Sequence, residues 1–404
     1  MAIDNKDKKI LNVPPLRFPE FTEEWKAEQL DNIATLSKGI GISKEQLSED
    51  GEPCILYGEL YTKYKSEIIK QVESKTDING SKLKRSKAND VIIPCSGETA
   101  VDIATARCVP FDNILFGGDL NVISLHQYDG AFMSYQLNGK RKYDIARVAQ
   151  GVSIVHLYGE HLKAIKTYNP TLPEQQKIAK LLSLLDDRID TQNKIIEKLQ
   201  SLIKGLVDEL MTVLLKGKLY PFSSFYIKAG EGGTPTTSVV EYYTEGTIPF
   251  IKIEDLSCKY LTNNKDFITE LGMQKSSAWL IPSKSVIYSN GATIGAISIN
   301  EYPVCTKQGI LGIVPNTNIN VEYLYLLMSS SYFSKEISRI ITEGTMKTAY
   351  LKDINHIKCP LPSMAQQKNI TNLTSSIEEK LSIEQELLRF LNLQKQYLLH
   401  MIFI

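Results

Sequence analysis

The sequence predicts an α+β (mixed α/β) chain: two globular domains separated by two long antiparallel coiled-coil helices, with a pseudo-twofold internal repeat. Three observations lead there. Short words recur in the same order at one long offset. Each copy ends in a long run of heptad-spaced apolar residues. Ahead of each run, short β-rich stretches alternate with turn residues and helical segments.

The length of 404 residues suits two to three domains. Hydrophobic content of 43% and charged content of 23% call for packed cores. No apolar run is long enough for a transmembrane helix, and Met1 to Lys9 is polar and charged, so neither a membrane span nor a signal peptide is expected. Six scattered cysteines (Cys54, Cys95, Cys108, Cys258, Cys305, Cys359) form no C-x-x-C pair and read as reduced thiols in a cytoplasmic setting. Net charge is zero, unlike a typical phosphate binder, but two stretches are locally basic. Tyr61 to Asp90 carries eight basic residues against four acidic, and Asn138 to Arg147 four against one. Taken alone, each stretch fits a solvated loop equally well.

The repeat justifies the two-domain reading. Gln175-Gln176-Lys177 recurs 191 residues later as Gln366-Gln367-Lys368. Ala164-Ile165-Lys166 pairs with His356-Ile357-Lys358 at an offset of 192. Ala146-Arg147-Val148 pairs with Ser338-Arg339-Ile340, and Val91-Ile92-Ile93 with Gly97 and Thr99 resembles Ser285-Val286-Ile287 with Gly291 and Thr293. The first long helix is predicted from about Pro173 to Leu215, with proline in its first turn and Gly217 as a stop. Its seam reads Leu182, Ile189, Ile196, Ile203 and Leu210 in one series and Leu185, Leu199, Leu206 and Val213 in the other, with Gln192 as that series' one polar member. About 40 residues at 1.5 Å each give roughly 60 Å. Shifted by 191, the second seam reads Leu373, Leu387 and Met401 beside Ile383, Phe390 and Tyr397, interrupted by Lys380, Ser376 and Gln394. Each helix is the natural partner of the other, which makes a spacer; a coiled coil joining two chains is the alternative. Strands are expected at Asp90 to Pro94, Asn113 to Leu125, Ile248 to Ile253, Ser285 to Ser289, Ala296 to Ile299 and Ile310 to Val314. Helices are expected at Glu322 to Ser329 and Ser334 to Ile341. The resulting boundaries are domain 1 over 1–168, helix 1 over 169–216, domain 2 over 217–358 and helix 2 over 359–404.

The sequence lacks the signatures of several chemistries. There is no G-x-x-x-x-G-K-[ST] phosphate loop and no strand–glycine–helix dinucleotide or S-adenosylmethionine fingerprint. No zinc-protease, nucleophile-elbow or catalytic Cys/His pattern occurs, and the five histidines are dispersed. Asn169-Pro170-Thr171-Leu172 lacks the aromatic residue that stacks an extruded base, so it reads as a lead-in turn to the helix. Catalytic and metal-binding residues are therefore expected to be absent.

Two copies of one domain, each followed by a helix with a Pro-x-Leu-x-E-Q-Q-K-I-A-type opening (Pro170 to Ala179), resemble the specificity subunits of type I restriction–modification systems. The opener Asn12-Val13-Pro14-Pro15-Leu16-Arg17-Phe18 with Trp25 is similar to family words. So are Gly232-Gly233-Thr234-Pro235-Thr236 and Asn290-Gly291-Ala292-Thr293-Ile294-Gly295. The second helix opening departs from the pattern, with Ala365 where Glu is wanted and Asn369 where Ile is wanted. The resemblance implies a non-catalytic subunit that reads a bipartite double-stranded DNA target with two target-recognition domains. It also implies two N6-adenine methyltransferase (modification) subunits and ATP-dependent restriction/translocase subunits as partners. S-adenosylmethionine, ATP and Mg²⁺ would then sit on those partners and no cofactor on this chain. A coiled-coil scaffold with two protein-binding domains is the rival reading. Base and phosphate contacts need basic or amide side chains on loops that enter a groove. The candidates in domain 1 are Lys82, Lys84, Arg85, Lys87, Lys140, Arg141 and Lys142. In domain 2 they are Tyr288, Asn290, Thr293, Lys307, Gln308, Thr345 and Lys347.

Overall fold

The computed structural model describes residues 12–79, 82–151, 154–341 and 347–404. It divides into two compact units, 1–193 with 386–404 and 194–385. Both divisions fall inside long helices, so the units differ from the boundaries drawn from sequence. The helices run over Leu172–Leu214 and Met364–Met401.

In the first unit an antiparallel sheet orders its strands Ala34–Lys38, Leu120–Leu125, Asp90–Pro94, Arg107–Val109. In the second unit the main sheet begins Tyr226–Glu231, Ile310–Pro315, Val286–Ser289, Ile297–Asn300 and adds Tyr260–Leu261 at one edge. The spatial order of the first four strands is the same in both. Each unit also has a parallel pair: Glu52–Ile55 beside Leu115–Phe116, and Ile248–Ile251 beside Cys305–Thr306. A third pair closes each domain before its long helix: Lys26–Gln29 with Lys166–Asn169, and Leu219–Pro221 with Lys358–Pro360. The repeat seen in the sequence is thus a repeat of topology.

The central strands are buried on both faces, as continuous apolar runs require: Val91, Ile92 and Ile93 are fully buried, as are Val286 and Ile287. A capped helix covers each sheet. Asp129 caps Gly130–Asn138 by accepting from the Phe132 N–H, and Asn320 caps Val321–Ser329 by accepting from Glu322 and Tyr323. The predicted strand over Asn113 to Leu125 is two strands, broken where Gly117 and Gly118 turn the chain. All six cysteines are free, and only Cys258 is exposed.

Within the first unit the two helical segments run in opposite directions. Lys395 Nζ lies 2.7 Å from Asp186 Oδ1, and Ile178, Ala179 and Leu182 share a cluster with Ile402, Phe403, Trp25 and Phe132. Lys395 also meets Glu67 at 2.6 Å, and Asp186 accepts from the Tyr135 hydroxyl at 2.6 Å. Burial alone would lower the Lys395 ammonium, but the two carboxylates more than offset that and hold it above its usual value. Burial, aided by the neighbouring Asp186, drives the Tyr135 phenol far upward. In the second unit the helices join an apolar core instead, through Val207, Met211 and Ile370.

The first seam follows the sequence closely up to Leu210, but Val213 is exposed. Leu182, Leu185 and Ile196 are buried, and Ile189, Leu199, Ile203, Leu206 and Leu210 are partly buried. Beyond Leu206 the buried line slips by one residue to Val207 and Met211, because 3.6 residues per turn drifts against a seven-residue repeat. The second seam requires correction. Leu373, Ile383, Phe390 and Tyr397 are all more than half exposed, and Leu387 and Met401 are partly buried. The inward line is Gln367, Ile370, Thr374, Ile377, Leu381, Glu384, Leu388, Leu391, Lys395, Leu398 and Ile402, all buried or partly buried at alternating steps of three and four. The helices correspond at an offset of 192, and carrying the seam over at 191 rotates it by one residue, roughly 100° on a helix. At 192, Gln367 stands opposite Gln175 and Ile370 opposite Ile178, so the Ile position is restored, while Gln366 opposite Glu174, Lys368 opposite Gln176 and Asn369 opposite Lys177 remain as departures. Among the described residues no helix is long and apolar enough to cross a membrane.

Candidate nucleic-acid interface

In the second unit three loops are laced together at one edge of the sheet. Asn290 and Gly291 both donate their N–H groups to Gly309 O, at 3.0 and 3.2 Å, and Ala349 N–H returns to Asn290 O at 2.9 Å. Gly309 N–H donates to Glu231 Oε1 at 2.7 Å, Gln308 N–H to Thr234 Oγ1 at 3.3 Å, and Lys307 N–H to Ile251 O at 3.0 Å. Gly309 adopts φ +85°, which only glycine takes without strain. Gly232 packs so closely on Thr306 that a Cβ there would fall 2.1 Å from its carbonyl oxygen. The backbone is therefore fixed while Thr293, Lys307, Gln308 and Lys347 stand exposed on it. Cations beside an amide on a pinned edge suit a phosphate grip next to a base-edge contact.

Two candidates in this unit do not face solvent. Tyr288 lies in the apolar core, edge-on to Phe333 at 6.1 Å, and burial pushes its phenol up to about 12. Asn290 is fully buried, and its Nδ2 donates to Ala349 O at 3.2 Å, so it ties the loops together. Their polar side chains are explained by the core and by loop bracing, which a sequence word does not distinguish from groove contacts. Thr345 lies outside the described residues.

The candidates in the first unit split in the same way. Lys82 and Lys87 are exposed. Lys84 and Arg85 form a short strand against Leu115–Phe116, and Arg85 grips Glu52 with two bonds of 2.6 and 3.0 Å. Lys140, Arg141 and Lys142 sit at a helix junction and are all partly buried. Arg141 donates to Ile404 O at 2.9 Å, pairs with Asp144 at 3.1 Å and stacks over Tyr168. It binds the end of the second long helix to this unit.

The topology identifies the matching edge in the first unit, which the sequence reading missed. Gly117 N–H donates to Ile55 O as Lys307 does to Ile251 O. Cys95 N–H donates to Asp119 O and receives Leu157 N–H, as Asn290 does with Gly309 and Ala349. The positions of Lys307 and Gln308 are thus occupied by Gly117 and Gly118. Side chains exposed around this edge include Lys38, Ile40, Tyr61, His156 and Tyr158, with Lys38 Nζ 5.6 Å from the centre of the Tyr158 ring. Aligning the two copies strand by strand would have found them; a search for basic runs does not. Among the described residues no group of His, Cys, Asp or Glu is arranged to hold a metal ion.

The family model described as "Type I restriction modification DNA specificity domain" matches residues 22–201 and 225–392. The MjaVIII type I restriction enzyme specificity subunit of Methanocaldococcus jannaschii is 24% identical over 416 residues, covering 94% of this chain and 92% of that one. The Escherichia coli EcoR124I/EcoR124II specificity subunit is 30% identical over 179 residues, covering 41% of this chain and 43% of its own. The M. jannaschii MjaIX specificity subunit is 30% identical over 154 residues, of which this chain spans only 35% of the relative's length. Among solved structures, the type I restriction–modification S subunit from M. genitalium superposes with a TM-score of 0.59 at 20% identity, covering 97% of this chain and 99% of that one.

Proposed function

The chain belongs to the family of type I restriction–modification DNA specificity domains, and on that premise we propose that it is the non-catalytic DNA-reading subunit of such a complex. Each domain reads one half of a bipartite target with its loop edge, and the paired helices fix the gap between the halves. The observation that carries this is the repeated strand order, with equivalent braced edges displaying different side chains. Two readers on one B-DNA face must be separated by about one helical turn, roughly 34 Å, or a multiple of it, and a helical rod holds such a distance better than a flexible linker.

Methylation and cleavage belong to partner subunits in this reading: two N6-adenine methyltransferases, and restriction/translocase subunits. S-adenosylmethionine, ATP and Mg²⁺ act there, and this chain binds none of them. Its own work is to grip phosphates and base edges while a partner takes the flipped adenine. Such a subunit acts in the cytoplasm, where the host DNA lies.

The test is to co-express the chain with its candidate modification subunit and map N6-methyladenine across the host genome. Two short specific blocks around a fixed unspecified gap are expected. Methylation at an unsplit motif would leave only one domain reading DNA. No methylation and no association between the two proteins would favour the scaffold reading.

A further inference from the structure

Near its root each long helix carries one buried glutamine bonded to its own domain, and two of those bonds recur in both copies. In the first helix the neighbouring Glu174 is held as well, by Arg17. Gln175 Oε1 accepts the Asp129 N–H at 2.9 Å, and its Nε2 donates to Pro170 O at 2.8 Å. Gln367 Oε1 accepts the Asn320 N–H at 2.8 Å, and its Nε2 donates to Pro362 O at 2.9 Å and to Asn318 O at 2.9 Å. Both side chains are at most 1% exposed. Asp129 and Asn320 are themselves the caps of the helices that cover each sheet. One residue per domain thus starts the covering helix with its side chain while its own N–H is held by the long helix. The side-chain amide supplies both the acceptor and the donor this requires; an ionised carboxylate lacks the donor and an apolar chain lacks both.

We propose that Gln175 and Gln367 are positioning residues that set the angle at which each long helix leaves its domain, and through that angle the gap length the protein accepts. The proposal rests on the reading of this chain as two DNA readers on a ruler. The first helix has 43 residues. At about 1.5 Å per residue it is roughly 64 Å long, so a swing of about 5° at its root moves its far end by about 6 Å. That exceeds the base-pair step of about 3.4 Å, so a small loosening at the joint admits a neighbouring gap.

The experiment uses the full chain in complex with its modification subunit, and duplexes carrying the native half-sites with the gap lengthened or shortened by one base pair. Gln175→Met and Gln367→Met roughly keep the volume and remove the side-chain bonds, two at Gln175 and three at Gln367. Each is expected to raise methylation of the altered gaps, relative to the native one, by about tenfold, the scale of one net buried hydrogen bond. The half-site bases should be unchanged. Gln175→Glu and Gln367→Glu lose the donor and set an unpaired carboxylate against the Pro170 or Pro362 carbonyl, so their gap profiles should broaden at least as far as those of the Met variants; they give a second readout where a Met variant fails to assemble. An unchanged gap profile in assembled variants overturns the proposal, as does a change in half-site bases at constant gap. If the wild-type complex methylates no split site, the underlying reading fails and this inference falls with it. Wild-type methylation with an unmoved profile removes the inference alone.

Discussion

The two loop edges occupy the same place in the same fold, yet they offer a nucleic acid different chemistry. In the second unit the turn after the short parallel strand carries Lys307 and Gln308. In the first unit the same turn is Gly117 and Gly118, and the exposed groups around it are Lys38, His156, Tyr158 and apolar side chains. The braces beneath are alike in both: the same backbone donors reach the same parallel strands and turns. Frame and readout are therefore separable here. The frame is set largely by apolar strands and backbone bonds, which leaves each edge free to carry its own set of exposed side chains.

That separation can be broken or sharpened by substitution. The largest effects belong to the frame and should be similar in both units. Phe132→Ala, next to Trp25 and Phe403, and Phe333→Ala, next to Phe222 and Tyr288, should each cost about 3–5 kcal/mol in local stability, read by hydrogen exchange in the affected unit. A loss in only one unit would show that the frames are not equivalent.

Lys395→Met should cost about 3 kcal/mol, because it strands Glu67 and Asp186 in the interior without their counter-charge. The second unit should be untouched. The Lys395 ammonium is raised above its ordinary value of 10.5, so its contribution is complete below that pH and is lost as pH rises through the higher folded value. Unfolding of the first unit should accordingly show an alkaline weakening that the Met variant lacks.

Smaller effects belong to the edges. A Cβ at Gly118 meets nothing closer than 3.5 Å, so Gly118→Gln can be accommodated there. It should alter base preference in the first half-site alone, by about 1–3 kcal/mol of discrimination if the new amide reaches a base edge. Methylation assays on single-base variants of each block would read this out. Smallest is the salt response. Lys307→Ala should reduce the slope of log affinity against log salt by about one, whereas Arg85→Ala should change it by less than about one because Glu52 already neutralises that guanidinium. Equal slopes for the two variants would contradict the placement of Arg85.

Much of the frame was legible because it is periodic. Heptad spacing marked the first long helix to within a residue at each end, and uninterrupted apolar runs marked the central strands. The second seam was misread because adjacent glutamines made two alignments possible, and a one-residue slip rotates a helical face. The edge residues were harder. Asn290 opens a glycine-containing word that looks like a loop, and Tyr288 lies in the strand expected just before it, but the chain buries both: the tyrosine in the core, and the asparagine as a brace between two loops. Arg141 looks like part of a basic patch, yet besides the nearby Asp144 its partners Ile404 and Tyr168 come from distant sequence that no local pattern reveals. Lys38 and Tyr158 carried no signal of their own, and only the repeated topology locates them.

The most direct test of two independent readers is the methylation motif of a complex carrying Thr293→Ala, Lys307→Ala and Gln308→Ala together. The account predicts that the second specific block changes or relaxes, while the first block and the gap stay as in wild type. A change in both blocks, or in neither, would contradict it.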